Sequence, residues 1–330
     1  MFDVFDLHCD TVDRIGMAKW EPYLSEGGED GATLWHNHGH LSLDRTDGMR
    51  WTQCFAIWIP ENESNIDPLS YYREARDWFG SHMLSEAEHV GQARSALDIA
   101  DVLGSGRSCA ILTVEGGTPI GNDLSVVDEM AADGVRMLTL TWNGPNTIAS
   151  GHNVPDQGIT EFGAKAVRAL EDNGIIVDVS HLNDKGFSDL LGIATKPFVA
   201  SHSNVRAVCP HKRNLTDDQF RAIRDLGGIV GLNYYTHFVH PEYGSGASVT
   251  TQNTTFEHLC MHVEHMLDLG GEDTLALGSD YDGSDVPTWL DGCEKVMTFH
   301  DMFEERFGKT IATKVFAANA RDFFVRYERA

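Results

Sequence analysis

The sequence predicts an α/β fold, a (β/α)8 barrel of the TIM type with its chemistry at the carboxyl-terminal rim of the strands. Three observations lead there. Eight short apolar runs rich in β-branched residues alternate with helical stretches, and strands separated by helices pair in parallel. Eight such units close a barrel. The length, 330 residues with 42% apolar side chains, suits one barrel with a large core, so residues 1–330 are expected to form a single domain. The rival open sheet that binds a dinucleotide needs a glycine-rich turn after its first strand. The corresponding stretch here, "DLHCDTVDR", has no glycine.

In chain order the strand candidates read "DVFDLHCD", "TQCFAIWI", "SCAILTVEGG", "VRMLTLTWN", "GIIVDVSH", "KPFVASHS", "GGIVGLNYY" and "DTLALGSDYDG". The second run, around Ile57, is followed by a long loop, and its helix is expected over residues 71–89. "TEFGAKAVRALEDNG" has helical apolar spacing and a stop at Gly174. "TDDQFRAIRDLGG" opens with a capping box from Thr216 to Gln219 and closes at Gly227.

Composition excludes several partners. Lys plus Arg number 25 against 50 Asp plus Glu, a formal net charge of −25. So acidic a chain disfavours nucleic acid and anionic lipid. No apolar run reaches the length of a membrane span. The amino terminus enters a strand-like pattern without a basic leader segment, so a cytoplasmic enzyme is expected. Six scattered cysteines without CxxC spacing are expected as free thiols.

The strand ends carry the chemistry. In order they present His8 with Asp10, Glu115, Trp142 with Asn143, His181, His202, Tyr235 and Asp280. His8 and Asp10 are two apart, so on a strand they share a face. Glu115 precedes Gly116 and Gly117, which permit a sharp turn at the rim. Its two oxygens can bridge two cations. His181 and His202 come from adjacent strands and offer neutral imidazoles. Nitrogen and carboxylate oxygen together suit zinc. Five ligands exceed what one catalytic zinc takes and suit two zincs sharing a hydroxide. Asp178 has the wrong parity for a ligand. The histidines of "WHNHGH" are expected in a solvated or substrate-covering loop. Those of "HLCMHVEH" are expected on a solvent-facing helix stripe.

Together "FDLHCDT", "LTVEGG", "LTLTWNG", "VDVSHLND", "ASHSNVRAVCPHKRNLTDDQ" and "LGSDYDG" resemble the membrane (renal) dipeptidase family of zinc peptidases, within the amidohydrolase superfamily. The resemblance spans His8 to Gly283 in the family's order. It implies a zinc-dependent dipeptidase that cuts free dipeptides, including ones with a C-terminal D-residue, through a metal-bridging hydroxide. By motif, His8 and Asp10 hold one zinc, His181 and His202 the other, and Glu115 bridges. Arg213 matches the residue that grips the substrate carboxylate, Asp280 the acid/base and Tyr235 a substrate-side tyrosine. A homodimer is the assembly the resemblance suggests.

One position departs from the pattern. Animal members carry a substrate-contacting histidine where this chain has Trp142, followed by Asn143. An indole can donate a hydrogen bond but cannot exchange a proton, so Trp142 and Asn143 are expected to shape substrate preference. Asp282 shares the parity of Asp280 and is a rival base. Two other functions stay open: another amidohydrolase, a cyclic amide or lactone hydrolase or a deaminase, and a noncatalytic metal-binding barrel.

Overall fold

A computed structural model describes residues 2–17, 31–61 and 66–329. Its strands are β1 (Phe2–Cys9), β2 (Met49–Trp58), β3 (Val90–Gln92), β4 (Ser108–Glu115), β5 (Val135–Thr139), β6 (Ile176–Asp178), β7 (Val230–Leu232) and β8 (Leu275–Leu277). The main helices are α1 (Thr11–Gly16), α2 (Pro68–Ser85), α3 (Ala96–Gly104), α4 (Ser125–Asp133), α5 (Glu161–Asp172), α6 (Asp184–Ile193) and α7 (Asp217–Asp225). They continue with α8 (Thr236–Val239), α9 (Phe256–Asp268), α10 (Val296–Phe307), α11 (Lys309–Thr313) and α12 (Asn319–Tyr327).

The sheet is parallel and curled, a half-barrel with strand order β6–β5–β4–β2–β1–β8–β7. The short β3 pairs with the outer part of β4 and stands off this path. It was not expected: the helix foreseen over 71–89 ends at Ser85, and the chain then adds β3 before α3.

The sixth expected strand shrinks to two residues. Val199 bridges Asp178 and Ala200 bridges Val230, both in parallel. Val199 exchanges hydrogen bonds with Val177 and Val179 at 3.0 and 2.8 Å, and Ala200 with Ile229 and Gly231 at 3.1 and 2.8 Å. The ladder then stops because side chains take over its donors. Ser201 N–H donates to Asp178 Oδ1 at 2.9 Å and His202 N–H to Ser180 Oγ at 3.1 Å.

One apolar cluster draws on every strand position around this path. It contains Leu7, Cys54, Ile111, Met137, Ile176, Val199, Ile229 and Ala276, with Phe323 and Phe324 of α12 packed into it. The larger cluster lies between the strands and the surrounding helices. Strands covered on both faces explain why their sequences read as continuous apolar runs. Helix caps follow the local code. Thr216 and Gln219 complete their capping box at 3.2 and 2.8 Å. Asn183 and Thr160 cap α6 and α5 from their side chains.

The backbone approaches itself closely where the sixth position meets β7 and β8. A Cβ on Gly231 would fall 1.9 Å from Ser201 O, and one on Gly278 would fall equally near the same oxygen. Gly231→Ala is therefore expected to lose about 1–3 kcal/mol through overpacking. Urea unfolding checks this; an unshifted midpoint would contradict the close approach.

Candidate metal centre

Every strand-end residue singled out from the sequence arrives at one rim. His8 is the penultimate residue of β1, within a register shift between Asp6 and Cys9. Such a bulge re-aims the side chains that follow. Asp10 is not on the strand, as its spacing suggested, but is the N-cap residue of α1. The two still meet, His8 Nε2 lying 3.3 Å from Asp10 Oδ2. Glu115 is the last residue of β4, and Gly116 turns the chain with φ +102°. His181, Asp280 and Asp282 have φ of 70°, 62° and 67°, and among the described residues no other non-glycine has positive φ. Left-handed backbone costs about 1–2 kcal/mol per residue, so the fold concentrates its strain at this rim. Hydrogen bonds hold it in place: His152 N–H to His181 O at 3.0 Å and Asp280 N–H to His8 O at 3.2 Å.

Glu115 sits at the centre, and its two oxygens face different partners. Oε2 lies 3.5 Å from His8 Nε2, while Oε1 lies 2.7 Å from His181 Nε2 and 3.4 Å from His202 Nε2. The His181 and His202 Nε2 atoms are 3.0 Å apart. Zinc bonds of about 2.0–2.1 Å in tetrahedral array separate neighbouring ligand atoms by about 3.3 Å. Three of the pairs here have that spacing, His8 with Asp10 and with Glu115 and His202 with Glu115, while His181 Nε2 stands closer to its neighbours, at 2.7 and 3.0 Å. Two buried atoms, His8 Nε2 and Asp10 Oδ1, have no hydrogen-bond partner. Buried polar atoms are otherwise almost always paired, so orphans in a ligand-type cluster fit a cation. His8, Glu115 and His202 form one group that could hold a metal ion, and His8, Asp10 and Asp280 another.

The imidazole tautomers suit this. Asp178 Oδ2 accepts Ser201 Oγ–H at 2.6 Å, so Ser201 Oγ must accept from His202 Nδ1–H, 2.7 Å away. That leaves the Nε2 lone pair of His202 facing the cluster. His181 Nδ1 is 2.9 Å from Asn143 Oδ1, which in that placement can only accept, with the same result. Burial, with the Arg213 charge behind it, pushes His181 down to about 4. Burial and then the charge of His8 hold His202 well below the ordinary range. Burial would raise Glu115, but His8 and His181 outweigh it and hold the carboxyl well below the usual range. Both unprotonated rings and the ionised carboxylate are the ligand forms.

The two candidate bases part company. Asp282 is fully enclosed as a strut: Thr11 Oγ1 and His40 N–H donate to it at 2.6 Å each. Asp280 takes one bond, from Asn233 Nδ2 at 3.0 Å, and belongs to the metal-type group with His8 and Asp10. His40, in the "WHNHGH" loop, accepts Asp282 N–H at 3.0 Å. His262 does not face solvent, as its helix stripe suggested; it is fully buried between Val205 N–H and Val239 O. All six cysteines are free and buried.

Around the mouth, Arg213 is buried over the Phe238 ring, 5.3 Å from its centroid. Its contacts are long, 3.4 Å to Ser203 Oγ and 3.5 Å to His202 O, and its Nε has no partner. Tyr235 Oη is 3.0 Å from His237 Nδ1. Trp142 meets the edge of Trp58 at 5.1 Å between centroids and stands 6.1 Å from the His181 ring. Sequence reading missed Asp178, Ser201 and Asn233 as positioning residues, and Glu61 beside the Trp142 loop. Asp178 was judged only for its parity as a ligand, and its four accepted bonds come from three separate segments.

Residues 1–320 match the family model described as membrane dipeptidase, peptidase family M19. An uncharacterized protein from the pqqA 5′ region of Klebsiella pneumoniae is 36% identical over 62% of this chain and 77% of its own. An uncharacterized protein of Acinetobacter calcoaceticus is 30% identical over 80% and 89%. Among solved structures, a metallopeptidase of Rhodobacter sphaeroides carrying a phosphinate mimic of the dipeptide L-Ala-D-Ala superimposes with a TM-score of 0.84. It is 26% identical and 99% of each chain is covered. A dipeptidase of the same metallopeptidase family gives 0.86, at 26% identity over 100% of this chain and 99% of its own. No helix among the described residues is long and apolar enough to cross a membrane.

The Asp178–Ser201–His202 chain generates a test. Ser201→Ala should weaken metal binding about 10- to 100-fold, read as competition with a chromogenic chelator. Unchanged affinity would mean that Ser201 does not orient His202.

Proposed function

Because this chain belongs to the membrane dipeptidase family of metallopeptidases, we propose that it hydrolyses free dipeptides at a centre of two zinc ions. His8 and Asp10 would hold one ion, His181 and His202 the other, and Glu115 would serve both. The observation that carries this reading is the division of the Glu115 oxygens, one toward His8 and one toward His181 and His202. A carboxylate serving one ion would not need to face two sets of nitrogens. We take residues 1–330 as one domain, and the curled sheet with its two-residue sixth position as a (β/α)8 barrel.

Zinc, when bound, polarises the peptide carbonyl and lowers the pKa of the water it takes up. The chain's own groups do the rest. Asp280 takes the proton of the attacking water and returns it to the leaving amine. Asn233 fixes one of its oxygens, so the other is aimed rather than free to rotate. Arg213 pairs with the terminal carboxylate of the substrate. Burial pushes its guanidinium down to about 10, and no carboxylate of the described residues lies in ion-pair contact with it. A buried, unpaired cation is costly to leave alone, and a planar carboxylate answers its fork. Tyr235 lines the same side of the mouth. Trp142 supplies a rigid wall, and Asn143 acts through His181 rather than on the substrate. The ligand of the Rhodobacter relative, a mimic of L-Ala-D-Ala, supports acceptance of a C-terminal D-residue here.

Protein purified without chelator is expected to hold about two zincs per chain and to cleave L-Xaa-L-Xaa and L-Xaa-D-Xaa dipeptides. Chelation should abolish cleavage and zinc should restore it; bound zinc with no dipeptide cleavage would discard the substrate assignment. Asp280→Asn should lower kcat by about 10²- to 10⁴-fold while zinc content, measured by atomic emission, stays unchanged. Arg213→Ala should raise KM for free dipeptides far more than for their C-terminal amides. Equal losses on both would count against the clamp.

A further inference from the structure

Glu61 lies three residues beyond the end of β2 and outside the metal-type groups. Its Oε2 accepts the Gly144 N–H at 2.7 Å. Gly144 leaves room for it, since a Cβ there would stand 2.8 Å from that oxygen. Its Oε1 is buried and has no hydrogen-bond partner. Burial pushes the Glu61 carboxyl up and the negative Glu115 adds to this, while the backbone N–H groups of Gly144 and Trp142 draw it back; no basic side chain offsets it. Among the described residues Glu61, like Arg213, thus has no side-chain counter-charge in contact, and its sign is the opposite.

Strand order sets the two apart. Starting from β1, β2 is the second position round the rim and the Val199–Ala200 segment is the sixth. Glu61 follows the second position and Arg213 follows the sixth, so their loops leave opposite sides of the mouth. Glu115 acts electrostatically on both groups, pushing Glu61 up and favouring the charge on Arg213. The metal-type cluster thus has a half-buried anion and a buried cation within its electrostatic reach, on loops that follow opposite strand positions. A free dipeptide is a zwitterion at neutral pH, with an ammonium at one end and a carboxylate at the other, and spans at most about 7 Å.

We infer that Glu61 binds the terminal ammonium of the substrate through Oε1, opposite the carboxylate held by Arg213, and so restricts the site to substrates with a free amino terminus. The inference rests on the dipeptidase reading and adds the group that selects the amino end. An acylated or extended amino terminus would bury Glu61 without a counter-charge, which is heavily penalised. The ammonium donates to Oε1 while Gly144 keeps Oε2 in place, so the carboxylate is oriented before substrate arrives. Glu61→Gln keeps the shape and the acceptor for Gly144 and removes only the charge.

The test compares the zinc-loaded full chain with its Glu61→Gln variant on L-Ala-L-Ala and on N-acetyl-L-Ala-L-Ala. The wild type should strongly prefer the free amine. The variant should lose roughly 10- to 100-fold in kcat/KM on the free dipeptide, the range of one charge-assisted hydrogen bond, mainly through KM. Its ratio of free over acetylated substrate should fall toward one. Glu61→Asp, which keeps the charge but shortens the reach, should retain most of the preference. Zinc content and melting temperature equal to the wild type show that the variants are folded. An unchanged ratio in the glutamine variant, or equal losses on both substrates, would overturn the role of Glu61. Failure of the wild type to cut any dipeptide would instead overturn the dipeptidase reading.

Discussion

The arrangement depends on one buried carboxylate, Glu115, enclosed by three imidazoles. An isolated ionised carboxylate in a protein interior is penalised heavily unless something positive faces it. Here His8, His181 and His202 converge on it from three strand positions. Two of those rings, His181 and His202, are held unprotonated by burial. Neutral imidazole lone pairs and a carboxylate repel one another or must share protons, and metal cations resolve the conflict. The positive-φ turns at His181 and Asp280 are the backbone consequence, since the chain must bend sharply to aim these side chains inward.

Beneath this cluster lies a layer of buried aspartates that act as struts. Asp6 accepts Ser279 N–H at 2.8 Å and so ties β1 to the segment after β8. Asp178 binds Thr139, Ser180 and Ser201, joining three consecutive positions of the rim. Asp13 holds Trp58 N–H and the Tyr71 hydroxyl at 2.7 Å each, fastening α1 to β2 and α2. Asp282 does the same between α1 and the 40–41 segment. Each strut replaces backbone ladder bonds just where the strands stop being regular. The rim can therefore carry irregular, strained turns without leaving backbone donors unsatisfied. The acidic surface and these interior acids do different work: the first sets solubility, the second sets geometry.

Much of this is legible in the amino-acid sequence. The eight apolar runs, the helix caps at Thr160 and Thr216, and the residues that end the strands are all local features. Period, capping and side-chain chemistry act over a few residues, and local sequence encodes them directly. Legibility weakens where the environment is distant. The sixth strand reads as a full apolar run, yet Asp178 and Ser180 take its donors and cut it to two residues. The parity of His8 and Asp10 points to the right neighbours for another reason, because a bulge and a helix cap, not one flat strand, bring them together. His262 looks like a solvent-facing residue because its burial comes from elements 23 and 57 residues away in sequence.

The sequence by itself determined which residue types stand at the strand ends, that they are the types that bind metal, and that the fold aligns those ends on one rim. It could do so because alternation and strand–helix order are short-range properties. Only the tertiary structure decided how the two oxygens of Glu115 divide, that Asp282 is a strut while Asp280 faces the cluster, and that Glu61 Oε1 and Arg213 Nε are buried without a hydrogen-bond partner. Those outcomes turn on hydrogen bonds and charge contacts between residues up to 271 positions apart, and a side chain's role there is set by what the fold places beside it.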